Sequence, residues 1–215
     1  MNPKDRIENI AIYAKDKNNL ALDEYPQEAR ELNYRWLHTL RVAQYGKRLA
    51  KLEGANIEIV LAGCLLHDIT KLSNVSKDFN HGRAGAKMIR PFLKKLEYSQ
   101  EDVENICYSV ASHVDGFADF EHPRTLEAEV LNDADKLDRF SSYRTVLSLS
   151  EFANKEYEEF ISAVENRVKY LERTEKEALT QTQSGKKAFG KQIAVQMAYL
   201  ERLLADYEIT ALPNL

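Results

Sequence analysis

The segment NIEIVLAGCLLHDITK, Asn56 to Lys71, constrains the fold more than any other stretch of this chain. A helix drawn through it from Asn56 is apolar on nearly every face until it reaches His67 and Asp68 at its polar end, so it must be surrounded by other elements instead of lying on a surface. Asn56 is a suitable N-cap for it. The apolar run from Ile59 to Leu66 is far shorter than the ~20 residues that span a bilayer, so the segment reads as the centre of a soluble bundle. The flanking sequence supplies the surrounding helices. Ile7, Ile10, Ala11 and Ala14 recur at helical spacing, and Pro26 opens a long helical pattern that ends at Gly54. Within that pattern Leu32, Trp36, Leu40 and Ala43 form one apolar stripe, and Tyr34, Val42, Tyr45 and Leu49 form another.

Further along, Ser99 with Asp102 resembles a capping box for a helix carrying Val103, Ile106, Cys107, Val110 and His113. Thr125 caps EAEVLNDADKLD. Only 8 Gly and 5 Pro stand among 215 residues, a composition that favours helices over a strand-and-turn architecture. The expected fold is therefore all-α, a helical bundle. Two charged amphipathic patterns after Ser150, with Phe160, Val164 and Leu171 on one and Ile193, Met197, Leu200 and Leu204 on the other, form a C-terminal helical hairpin extension. The expected division is a helical core domain over 1–150 and this hairpin over 151–215. Its apolar stripes need cover, either on the chain's own core or at a homodimer interface.

A formal net charge of −4 argues against a nucleic-acid polymer as partner and leaves a small ligand. Cys64 and Cys107 each lie in an apolar helical stretch and suggest buried free thiols. The N-terminus lacks the apolar core of a signal peptide, so no membrane partner and a cytoplasmic location are expected. GKKAFGKQ, Gly185 to Gln192, fits a phosphate-loop pattern superficially. Gln192 stands where a magnesium-binding hydroxyl is needed and no strand precedes it, so it is expected to be a basic loop.

Four of the five histidines, with aspartates, form an ordered series: His38, the doublet His67-Asp68, His81, His113 and then Asp133 or Asp135. A lone histidine on an apolar helix face is more often a hydrogen-bonded core residue than a ligand. Several at helix ends and on inward faces, one followed directly by Asp, favour a common cavity. Adjacent residues of a helix point about 100° apart, so His67 and Asp68 can serve one ion only where the backbone loosens at a helix end. A set of imidazoles and carboxylates without thiolate suits an ion that keeps positions open for water and substrate. His122, beside Pro123, reads as solvated.

The order His38, LLHDITK, NHGRAGA, VASHVDG and EAEVLNDADKLD resembles the HD-domain metal-dependent phosphohydrolases, in particular their small stand-alone bacterial branch. The resemblance covers roughly Tyr34 to Asp138. It implies an HD-domain-like bundle and a divalent metal ion, manganese, iron, cobalt, magnesium, nickel or zinc, one or two per chain. His38, His67, Asp68 and Asp135 would be its ligands. The ADKL context favours Asp135 over Asp133, with Asp138 supporting or at the surface. His81 and His113 match positions that some members use for a second metal and others for phosphate. Lys71 matches the family's HD-x-x-K element, and Arg41 is a weaker candidate. The implied activity is hydrolysis of a nucleotide or other small phosphorylated metabolite by metal-activated water. Asp68 would orient the nucleophile, while His81, His113 and Lys71 neutralise phosphate or protonate the leaving group. The alternative is a non-catalytic, metal-anchored nucleotide sensor.

Overall fold

The structure, a computed structural model, describes residues 1–177 and 179–209. It is all-α, with no strand among the described residues. Its helices run α1 Pro3–Glu24, α2 Ala29–Glu53, α3 Ile57–Leu66, α4 Ile69–Leu72, α5 His81–Lys95, α6 Gln100–Ser112, α7 Leu126–Arg139, α8 Ser142–Phe152, α9 Tyr157–Lys176 and α10 Gln183–Glu208. The chain divides into two compact units, Met1–Asp135 and Lys136–Leu215, with the boundary inside α7. No described helix is long and apolar enough to cross a membrane.

In the first unit α3 is the buried centre, with α1, α2 and α6 packed on it. The Asn56 side chain accepts from the backbone N–H groups of Glu58 and Ile59 and starts this helix. Seven of its ten residues, from Ile59 and Val60 through Leu66, are buried. Small residues let α2 and α3 approach closely: a Cβ added at Gly46 would lie 2.6 Å from the Cys64 sulfur. Pro26 opens a single turn of 3₁₀ helix before α2 begins at Ala29. Gly54 ends α2 with a left-handed φ of 77° that a residue with a Cβ rarely adopts. At the start of α6 the Ser99 hydroxyl accepts from the Asp102 amide and donates to its carboxylate, the N-cap half of the expected box.

The second unit contains the hairpin. Its sense is antiparallel, since Tyr157 at the start of α9 meets Tyr207 near the end of α10. Ile161, Val164 and Leu171 of α9 are buried, as are Phe189, Ile193 and Leu200 of α10. Gln196 donates to the Phe140 carbonyl at 2.5 Å. The segment GKKAFGKQ is not the expected loop, because it lies inside α10. The Thr182 hydroxyl accepts from the Gly185 amide and starts the helix there. The six intervening residues Lys186 to Gln192 other than Gly190 are adequate helix formers, and Gly190 is tolerated.

Candidate metal centre

Three of the four clustered histidines sit at helix ends. His67 follows the last residue of α3, His81 opens α5, and His113 follows the last residue of α6. Asp68 has left helical geometry, with φ −103° and ψ 24°, before α4 begins. That break is the loosening the doublet requires. His38 differs, since it projects from the middle of α2. Asp135 comes from α7. All six side chains are buried, from 0% exposure at His67 to 8% at Asp135.

The ring nitrogens are set by the backbone. Nδ1 of His67 lies 2.8 Å from the Cys64 carbonyl, that of His81 lies 2.5 Å from the Asp78 carbonyl, and that of His113 lies 2.7 Å from the Val110 carbonyl. A carbonyl oxygen only accepts, so each Nδ1 carries a proton and donates it. A neutral ring in that tautomer presents a lone pair on Nε2. These Nε2 atoms all lie around the Asp68 carboxylate.

Two groups of ligand atoms meet there. In the first, His38 Nε2 lies 3.1 Å from His67 Nε2 and 3.2 Å from Asp135 Oδ1, with His67 Nε2 at 3.9 Å from the same oxygen. Asp68 Oδ2 is 3.8 Å from both of these histidines. In the second, His81 and His113 bring their Nε2 atoms to 3.1 Å, with Asp68 Oδ1 at 3.2 Å and 3.6 Å respectively. The Asp68 carboxylate thus turns one oxygen to each pair of imidazoles. Donor atoms of His38, His67 and Asp135, and likewise of His67, Asp68 and His113, are close enough together to hold a metal ion. Asp133 is fully buried but joins neither group among the described residues.

The residues fit a cation on their own chemistry. Two imidazole lone pairs 3.1 Å apart, beside a carboxylate oxygen, repel one another unless a positive charge lies between them. Asp68 Oδ1 is buried and accepts no hydrogen bond of usable geometry, although Lys71 Nζ approaches to 3.1 Å. Burial would push the Asp68 carboxyl up, but the neighbouring His67, His113, His81 and Lys71 outweigh it and hold it well below the usual carboxylate range. Burial pushes the His67 imidazole down to about 4, against the opposing pull of Asp68. At neutral pH the doublet is therefore an ionised carboxylate beside a neutral imidazole, the protonation states that ligate metal.

Other contacts hold the helix ends together. Thr70 donates to the His81 carbonyl at 3.2 Å, and Asn132 donates to the His113 carbonyl at 2.9 Å. Gly82 is a further residue whose role the sequence reading missed. A Cβ there would lie 2.8 Å from the Val110 carbonyl oxygen and 2.9 Å from that of Ala111, so only glycine lets α5 start against the end of α6. Its position directly after His81 was the available signal. Arg35, one turn before His38, was missed as well: its Nη1 reaches to 3.5 Å from Asp68 Oδ2 while its Nε donates to Glu31 at 2.7 Å. Arg41 instead lines a surface groove on α2 with Leu37, Leu40, Gln44, Tyr45 and Arg48. His122, half-buried, stacks on Tyr108.

The family model for the HD domain matches residues 35–139, and no curated protein matches the sequence. Among solved structures, an HD-superfamily hydrolase from Bacillus thuringiensis superposes with a TM-score of 0.65 at 17% identity, covering 96% of this chain and 99% of that one. A predicted HD superfamily hydrolase from an uncultured Thermotogales bacterium gives a TM-score of 0.64 at 18% identity, with 90% and 92% coverage. Bacillus subtilis YpgQ in complex with ADP gives 0.65 at 15% identity, with 96% and 97% coverage. At these identities the likeness speaks to the fold.

Proposed function

We propose that this chain, which belongs to the HD domain family through residues 35–139, is a metal-dependent phosphohydrolase acting on nucleotides. The observation that carries the reading is the Asp68 carboxylate, buried, ionised and facing an imidazole pair at each oxygen. His38, His67, Asp68 and Asp135 would hold one divalent cation. His81 and His113, sharing Asp68, would hold a second. Cations bound there supply Lewis acidity, lowering the pKa of a water and polarising a phosphoryl oxygen.

The chain's own residues do the rest. Asp68 fixes the geometry of both halves and presents an acceptor that can orient the attacking water. Lys71, 3.1 Å from Asp68 Oδ1, places an ammonium where phosphate charge would be neutralised. Fixing Nδ1–H of His81 and His113 on carbonyls turns each Nε2 toward Asp68 Oδ1, which favours a ligand role for them. Burial of all six side chains limits competing water. The nucleotide preference draws support from the YpgQ fold relative, solved with ADP.

A screen of phosphate and pyrophosphate release across nucleoside mono-, di- and triphosphates tests the reading, with manganese, cobalt, iron, magnesium, nickel and zinc supplied in turn. Turnover that requires metal is expected. Stoichiometric nucleotide binding without release under every metal would overturn hydrolysis in favour of a metal-anchored sensor.

A further inference from the structure

Asp68 is contacted by two side-chain cations, one per oxygen. Lys71 Nζ lies 3.1 Å from Oδ1, and Arg35 Nη1 lies 3.5 Å from Oδ2. They come from different elements, α4 and α2. Lys71 fits the phosphate role proposed above, whereas the chemistry so far has not used Arg35.

Its geometry suggests a reserve of binding capacity. The Arg35 Nε–H is committed to Glu31 at 2.7 Å, which holds the guanidinium in place. The contact to Asp68 at 3.5 Å is longer than a good N–H···O hydrogen bond. Nη2 donates to no group among the described residues, and the side chain keeps 28% of its surface exposed while Asp68 is 2% exposed. Arg35 thus sits between the buried carboxylate and solvent, with donors that the protein leaves weakly used.

A cation held by His38, His67, Asp68 and Asp135 would draw on the same Asp68 oxygen that Arg35 faces. The guanidinium would then lose most of its attraction to Asp68 and meet like charge. An anion shared between the two relieves that repulsion, and a guanidinium suits phosphate oxygens because its donors form a planar fork. With Lys71 on the other oxygen of the same carboxylate, two anionic groups find a cation each. A single phosphate group offers only one.

We propose that Arg35 is a substrate-binding residue that selects for two linked phosphates over one, working as a pair with Lys71 across Asp68. The inference rests on the phosphohydrolase reading for its choice of ligand, but its test does not require turnover. Manganese-loaded protein is titrated calorimetrically with methylenediphosphonate and with methylphosphonate, neither of which can be hydrolysed. In Arg35→Ala and Arg35→Gln, diphosphonate binding is expected to weaken by roughly tenfold or more and monophosphonate binding by less than about threefold, with manganese content unchanged. Arg35→Lys should recover part of the diphosphonate affinity, since it restores charge without the fork.

Equal weakening of both ligands, or of neither, overturns the assignment. So does loss of manganese from Arg35→Ala, which would make Arg35 a support for Asp68, and so does a parent protein that binds neither phosphonate. Arg35-dependent diphosphonate binding without phosphate release from any nucleotide would sink hydrolysis and leave this assignment standing. Turnover that is indifferent to Arg35 would do the reverse.

Discussion

The two oxygens of Asp68 face halves of one site that are built differently. Oδ2 faces His38 from the middle of α2 and His67 from the end of α3, with Asp135 adding a second carboxylate. Oδ1 faces His81 and His113, both at helix termini, and shares its side of the cavity with the ammonium of Lys71. The first half has two carboxylates, Asp68 and Asp135, with Arg35 at 3.5 Å from Oδ2. The second has a single carboxylate oxygen with the ammonium of Lys71 closer, at 3.1 Å. On the proposed reading the first half would hold a cation more firmly than the second, which lies on the side where phosphate charge would enter.

Removing a ligand from the first half should have the largest effect. His38→Ala or His67→Ala is expected to reduce metal content and phosphate release to background, with helical content by circular dichroism largely kept. Metal analysis after gel filtration checks this. Retention of both properties by either variant would break the distinction between the halves.

In the second half, His81→Ala and His113→Ala should keep the tight ion and lose the weak one, with turnover reduced by about 100-fold or more. Manganese titration separates the two steps. Loss of the tight ion in either variant would mean that the halves are not distinct. Unchanged metal binding and kinetics would return both residues to structural roles.

A smaller effect is expected at Gly82. The Cβ of Gly82→Ala meets the Val110 and Ala111 carbonyl oxygens at 2.8 Å and 2.9 Å, and backbone yields less readily than a side-chain tip. Thermal and urea unfolding should show a loss of about 1–3 kcal/mol. Because the displaced Val110 carbonyl orients His113, the weak metal step should move more than the tight one. An equal shift of both would show that α5–α6 packing does not act mainly on the second half.

The smallest effect concerns the thiols behind each half. Burial pushes the Cys107 thiol up to about 11 and the Cys64 thiol further still. With so little thiolate at pH 7, neither should react with iodoacetamide in the native protein, and both should react in guanidinium chloride. Mass spectrometry of the labelled chain reports each site. If Cys107 labels first under partial denaturation, the second half opens before the first.

Much of this arrangement was legible because helix ends announce themselves. Asn56 capping α3, Ser99 with Asp102 opening α6, and the Thr125 hydroxyl accepting from the Ala128 amide at the start of α7 each combine a local signal with a local structure. The apolar face of α3 also points to its place at the centre. What escaped depends on partners distant in sequence. Arg35 matters because α2 lies beside the α3–α4 junction, and Gly82 matters because two carbonyls of α6 come within van der Waals distance. Neither neighbour can be read from local spacing. The Gly185–Gln192 segment, expected to be a basic loop, instead lies in a helix that Thr182 caps three residues before it. Helix α8 was likewise not foreseen, although Ser141 caps it.

The central claim is that Asp68 joins the two halves, and calorimetric titration of metal-free Asp68→Ala with manganese tests it most directly. The parent should bind manganese in two steps, one tight and one weak. In Asp68→Ala both steps should weaken together, because each half loses an oxygen of the same carboxylate. A variant in which one step disappears while the other keeps its parental affinity would contradict the account, showing two independent groups of ligands that merely lie side by side.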